Sequence, residues 1–412
     1  MHVPGQYKFI VQLGKALHTH GVPSYKSQIY LTDIAEKKGI KGSFMDTPTW
    51  INYVFFEEEE QTYNYVECVP PGELNLGALS RIVEITNDVI DNRSTFSEAK
   101  LAISDLKTTT FGFGKVAELI AYMVSAGSFS MILDTSWAST ITASLIGAIL
   151  FGLTILARKS GYIRSALESL VAFIATIITG LLSMYFQQID ISMTILASII
   201  VFIPGLSITT ALEEITSRSL VSGTAKLFDA LVSLFKQFFG VVLALAILPL
   251  FVDLQPNQAV NDVPESLDYI AIMGLAFGLS VVFKVRRKDI IYCVMAGFAS
   301  FYSTTLFAFT GLLVSIFIGT IVAVSVSKLF GKITKTPPLV FLVPGIVMLV
   351  PGSKAFIGLS SFFLDAPGVE NNTGEQVSYI FMGIIGGLIF SGSFMDKTIK
   401  KASAKSMLRT QQ

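Results

Sequence analysis

Two stretches of this 412-residue chain place Pro-Gly pairs and polar residues inside apolar surroundings. The first reads TILASIIVFIPGLSITTALEEI and the second PPLVFLVPGIVMLVPGSKAFIGL. Proline removes a backbone donor and clashes with the preceding turn, and a neighbouring glycine permits unwinding. Pro204-Gly205, and Pro344-Gly345 with Pro351-Gly352, are therefore expected to interrupt helices and leave main-chain polar groups free to hold a solute. After the first pair come Ser207, Thr209 and Thr210, whose hydroxyls can meet an ammonium, a carboxylate or a hydroxylated side chain. Glu213 and Glu214 follow. A carboxylate close to a bilayer is costly and is by default a functional candidate, here for carrying a proton or binding an amine. The competing reading puts both in a solvated loop beside Arg218.

Asp229 and Lys236 stand on one helical face, and Lys236 is the one basic residue deep inside an apolar run. A buried ammonium lowers its pKa or seeks a carboxylate, so the two suit either a proton path or a structural ion pair. Lys354 follows the last Pro-Gly and can meet a substrate carboxylate or serve as an ordinary interfacial lysine. His18 and His20 form an HxH pair with no third ligand at convincing spacing, so no metal and no cofactor is expected. Cys68 and Cys293 lie far apart and imply no disulfide framework. Asn371-Asn372-Thr373 fits a glycosylation sequon, a pattern that also arises by chance. The HExxH, GxSxG, GxGxxG and P-loop patterns are missing from the sequence, which argues against an enzyme or an ATP-driven pump.

The elements that must position these residues divide into two regions. Only 15% of the chain is charged, against about 25% in soluble domains. Mean hydropathy is +0.63 and formal net charge is zero, so nothing favours nucleic acid as a partner. Residues 1–112 hold 14 of the 30 carboxylates in little more than a quarter of the chain and read as a small α+β domain. KFIVQLGKALHTHG and YKSQIYLTDIAEKKG have helical spacing, the second ending at Gly39. TWINYVFF and TYNYVECV read as a hairpin whose solvated turn is Glu57 to Glu60. Two amphipathic helices follow, the later one capped by Thr95 or Ser97.

Beyond residue 112 apolar runs of roughly 17–25 residues recur, the length that crosses a hydrocarbon core. Ten are expected, centred near Met123, Gly147, Ile174, Ile199, Ala244, Phe277, Phe298, Ile318, Val343 and Gly386. Lys and Arg concentrate in alternate loops, and such loops face the cytoplasm. These loops carry Arg158, Lys159 and Arg164, then Arg218 and Lys226, then Lys284 to Lys288, then Lys328, Lys332 and Lys335. The other loops are acidic, with Asp134, Asp190, Asp262 and Glu375, and hold only Lys354 as a base. Both termini are thus expected in the cytoplasm, the last carrying Lys397, Lys400, Lys401, Lys405 and Arg409. The start shows no cleaved signal peptide pattern. Ten spans divide into residues 113–255 and 256–412, two halves of five. Five is odd, so the halves enter the membrane with opposite topology, and their fourth spans both carry Pro-Gly.

With these motifs in hand, the chain resembles the threonine/serine exporter family over nearly its whole length. ALHTHGVPSYKSQIYLTDIAEKKGI, PTWINYVFFEE and GELNLGALSRIVEI are similar to that family's soluble domain. FIPGLSITTALEEITSRSLVSG resembles its Pro-Gly, Asn-Ala, Asp signature, with Thr210 in place of the usual Asn and Glu214 in place of Asp. LVPGSKAFIG resembles the later Pro-Gly signature, and Gln28 replaces a common acidic residue. The soluble domain also resembles that of fungal pheromone-regulated membrane proteins. The resemblance implies a secondary transporter that exports threonine or serine, coupled to protons. Dicarboxylate export, and a receptor or scaffold acting through the soluble domain, are the alternatives. The expected partners are a small-molecule substrate, protons and the lipid bilayer, with a homo-oligomer compatible with all of these. The expected place is the plasma membrane or, in a eukaryote, an internal membrane.

Overall fold

The computed structural model describes residues 3–56, 62–70, 72, 75–106, 111–250, 262–349 and 373–395. The described chain is mostly helical, with one small sheet near its start. Helices α1 (Lys8–Thr19) and α2 (Ser24–Lys37) precede strands β1 (Lys41–Asp46), β2 (Trp50–Phe56) and β3 (Thr62–Cys68). The strands are antiparallel in the order β1-β2-β3, with Phe44 opposite Tyr53 and Tyr53 opposite Tyr65. Helices α3 (Leu76–Ile90) and α4 (Phe96–Leu106) complete the domain.

Periodicity explains this core. Ile10, Leu13 and Leu17 recur at helical spacing on α1 and are buried, as are Leu76, Leu79 and Ile82 on α3. Strand β2 alternates, so Ile51, Tyr53 and Phe55 face the helices. Tyr7 stacks on Phe55 with ring centroids 3.9 Å apart. Burying each large side chain such as Leu17 or Ile34 contributes about 1.5–3 kcal/mol. Gly39, at φ +70°, ends α2 in the left-handed region. Thr95, rather than Ser97, caps α4: its Oγ1 accepts from the Glu98 N–H at 3.3 Å, and Glu98 Oε2 accepts from the Thr95 N–H at 2.8 Å. His18 bridges α1 to the sheet, with Nδ1 2.8 Å from Asp46 Oδ1 and Nε2 3.1 Å from the Pro70 carbonyl. Strand β1 is an addition to the sequence reading. Its Lys-Gly-Ser opening has little β propensity, and the edge of β2 supplies its hydrogen bonds.

Four helices are long and apolar enough to cross a membrane: α5 (Lys115–Ile132), α6 (Trp137–Ala157), α11 (Leu220–Ile247) and α14 (Leu312–Thr334). The segment holding α9 (Ile191–Ser198) and α10 (Gly205–Thr216) makes a fifth, bent by 52°. Short α7 (Gly161–Ser165) leads into α8 (Leu167–Ser183). Helices α12 (Asp268–Val282), α13 (Ile290–Leu306), α15 (Leu339–Val347) and α16 (Thr373–Met395) follow. Length and composition thus qualify four or five spans among the described residues, fewer than the expected ten. The shortfall has a physical reason: α8 has 17 residues and α12 has 15, short of the ~20 that a straight span needs.

Neighbour relations recur along the chain. The pair α5–α6 is matched by α12–α13, α8–α11 by α14–α16, α6–α9 by α13–α15, and α8–α9 by α14–α15. Helices α5 and α12 pack closely through small residues. A Cβ at Gly278 would strike the Ser125 hydroxyl, and one at Gly274 the Ser128 hydroxyl. Small residues of this kind let two backbones approach where lipid offers no hydrophobic drive.

Candidate functional site

Helix α9 starts at Asp190, whose side chain accepts from the Met193 N–H at 2.9 Å, and it ends after only 8 residues. A turn of 3-10 helix, Ile200–Phe202, leads to Pro204. Proline at 204 has no N–H for the Ile200 carbonyl, which accepts from the Ile203 N–H at 3.3 Å instead. The Phe202 carbonyl is held by another helix: Gln237 Nε2 on α11 donates to it at 2.7 Å. Gln237 is fully buried, and its Oε1 has no hydrogen-bond partner. Main chain of this kind is tolerated at membrane depth only where protein or a cavity covers it.

A cavity adjoins the break. Its lining includes Ile200, Ile203 and Gly205 from the bent segment and Val347 and Met348 from the end of α15. Phe129 and Ile132 of α5, Leu275 and Leu279 of α12, and Phe301 of α13 close it. The space is small, ≈ 50 Å³. About 10–15 Å³ by the same measure holds one water, so it suits a solute on the scale of a few waters. Helix α10 begins at this cavity, so the positive end of its dipole lies there.

Of the residues expected to contact substrate, Gly205 lines the cavity. The buried Thr209 hydroxyl donates to the Gly205 carbonyl at 2.9 Å, and the Thr210 hydroxyl to the Ser207 carbonyl at 3.2 Å. These bonds turn both hydroxyls back onto their own helix. Ser207 is half-buried. The second segment departs from expectation. Pro344 and Gly345 do not break the chain but lie inside α15. The carbonyl that Pro344 strands is Val340's, and the Cys293 thiol on α13 points at it across 3.5 Å. Pro351, Gly352 and Lys354 lie outside the described residues, as do Glu57 to Glu60 and most of the sequon.

The carboxylates are placed elsewhere again. Glu213 and Glu214 sit at the far end of α10, buried against the N-terminal domain. The Ser24 N–H donates to Glu214 Oε1 at 2.8 Å, and the Tyr25 hydroxyl to Glu213 Oε1 at 2.6 Å. Lys226 pairs with Glu214, and Lys26 lies 3.4 Å from Glu213. Burial, reinforced by the Glu213 carboxylate, pushes the Tyr25 phenol well above its ordinary value, so it stays a donor. The solvated-loop reading of this pair is therefore corrected. Asp229 is exposed. Lys236 does not pair with it but lies 3.9 Å from Glu168 at the start of α8, with 43% of its side chain exposed. The expected buried ammonium is thus corrected to one that reaches toward the helix end.

Sequence reasoning missed Gln237, Cys293, Ser24 and Tyr25. Gln237 carried a signal, since an amide in an apolar run needs a partner. Among the described residues no group of three His, Cys, Asp or Glu side chains could hold a metal.

Several helices long and apolar enough to cross a membrane mark an integral membrane protein. The chain belongs to the threonine/serine exporter family, whose model matches residues 8–248. A second model, described as "Threonine/Serine exporter, ThrE", matches residues 268–394. The chain is also similar to "Pheromone-regulated membrane protein 10" of Eremothecium gossypii, 22% identical over 83% of this chain and 47% of that protein. The protein of the same name from Kluyveromyces lactis is 24% identical over 58% of this chain and 26% of its own length. An uncharacterized protein of Schizosaccharomyces pombe is 25% identical over 56% of this chain and 31% of its own length. The chain thus spans about half or less of the curated relatives it matches. No solved structure matches it.

Proposed function

We propose that this chain is a secondary transporter that moves a small polar amino acid, of threonine or serine type, through the cavity at Pro204-Gly205. One observation carries the reading: a single cavity is walled by the bent segment, by the end of α15, and by α5 and α12 between them. Family membership supports the same class of substrate. The lining, among the described residues, has no Lys or Arg to hold a second carboxylate, which favours a zwitterion over a dicarboxylate. The substrate carboxylate would face the first turn of α10, where the helix dipole is positive.

In this reading the bundle has ten spans in two inverted halves. The first is α5, α6, α8, α9–α10 and α11, within residues 113–255. The second, within 256–412, is α12, α13, α14, α15 with the residues after it, and α16. The matched neighbour relations of the two sets support this division. Both termini and the domain of residues 1–112 lie on the cytoplasmic side, as the Lys and Arg distribution favours. Proton exchange falls to Glu213 or Glu214, at the far end of the helix that starts at the cavity.

The test is flux in proteoliposomes, using labelled threonine, serine and a four-carbon dicarboxylate, with and without a pH gradient. Threonine or serine should move, faster with the gradient, and Glu214→Gln should lose the gradient's effect. Movement of the dicarboxylate alone would overturn the substrate assignment, and no movement of any solute by folded protein would overturn transport.

A further inference from the structure

The N-terminal domain holds the bundle at two places of different character. At the first, α2 meets the end of α10 and the start of α11. The contacts are the Ser24 N–H and Tyr25 hydroxyl on Glu214 and Glu213, and Ser24 Oγ 2.7 Å from Ser222 Oγ. At the second, α3 meets the loop between α12 and α13. The Leu76 and Gly77 N–H groups donate to the Phe283 and Lys284 carbonyls, each at 3.0 Å. Arg286 in that loop lies 3.5 Å from Glu84 on α3. The two places belong to different halves of the bundle.

Their chemistry differs in a way that decides which can let go. The second joins main chain to main chain, with no slack: a Cβ at Gly77 would meet the Lys284 carbonyl at 2.7 Å. The first depends mainly on side chains that can rotate away. It is also incompletely satisfied, since Glu213 Oε2 and Glu214 Oε2 are buried without hydrogen-bond partners. Hydration on release would satisfy both oxygens, which favours the undocked state relative to a fully bonded interface. Helix α10 links this place to the cavity: it starts at Gly205, which lines the cavity, and ends at Thr216, just past the carboxylates.

We propose that the N-terminal domain is a releasable clamp across the two halves, fixed to the α12–α13 loop and detachable from Glu213 and Glu214, with α10 as the lever that couples release to the cavity. This rests on the transport reading. Alternating access moves one half against the other around the site. A folded domain bonded to both halves at the same end of the bundle blocks that movement until one bond set opens. Linkage then runs both ways: a solute that shifts α10 weakens the dock, and a tighter dock weakens solute binding.

The experiment uses the full chain with Cys68→Ser, Ser24→Cys and Ser222→Cys, reconstituted in vesicles. The hydroxyls being replaced are 2.7 Å apart, so oxidation should form a disulfide. Oxidised protein should lose threonine and serine flux, and reductant should restore it. Failure to cross-link, or undiminished flux after complete cross-linking, overturns the clamp. If the reduced protein moves no solute, the transport reading fails instead, and a second measurement still decides the clamp. In the Glu213→Gln, Glu214→Gln chain, backbone hydrogen exchange should rise over residues 24–37 while residues 76–90 stay protected. Equal exposure of both segments, or of neither, contradicts a clamp with one fixed and one releasable end.

Discussion

The segments around Pro204 and Pro344 carry the same dipeptide and take different shapes. At Pro204 the helix stops, turns through a short 3-10 segment and restarts at Gly205. At Pro344 the helix runs on to Val347. What differs is the donor that a neighbouring helix brings to the main chain beside each proline. Near Pro204 a carboxamide from α11 reaches the main chain at 2.7 Å and anchors it in its unwound form. Near Pro344 a single weak thiol donor serves the one carbonyl the proline cannot. A proline therefore frees a carbonyl, but a neighbouring helix decides whether the chain opens or merely carries a missing bond.

This contrast predicts graded effects. Gln237→Leu should act most strongly, because it keeps the side-chain bulk and removes the donor that holds the part-buried Phe202 carbonyl. A stability loss of about 1–3 kcal/mol is expected in detergent melting, with most of the flux gone. Pro204→Ala should come next: a restored N–H lets the Ile200 carbonyl re-enter a helix, the bend lessens, and flux should fall about tenfold, equivalent to ~1.4 kcal/mol in the barrier. Cys293→Val should cost only about 0.5–1.5 kcal/mol of stability and leave flux near the starting rate. Pro344→Ala should be the mildest, neutral or stabilising on melting, since the helix regains its bond to Val340. Equal flux losses from Pro204→Ala and Pro344→Ala would erase the distinction between the two segments.

The sequence made the class of this protein legible and its wiring only partly so. Apolar runs, a polar start and the Pro204 interruption are local patterns, and each reads directly. The continuity at Pro344 is not local, because it depends on Cys293 from a helix that begins nearly fifty positions earlier. The environment of Glu213 and Glu214 is set by Ser24 and Tyr25, almost two hundred positions away, so spacing left open whether they met water, lipid or protein. Gln237 stood beside Lys236, and a charge draws notice before an amide does. Yet the lysine reaches outward to Glu168, while the amide turns in and holds the break. Thr209 and Thr210 looked like free hydroxyls because a sequence does not reveal a bond back to the preceding turn.

The central claim is that solute passes the main-chain break at Pro204-Gly205. A single cysteine at the cavity wall tests it most directly: Ile203→Cys with Cys68→Ser, treated with a small thiol reagent in proteoliposomes. Labelling should stop threonine and serine flux, and saturating threonine should slow the labelling. Complete labelling with flux unchanged would contradict it.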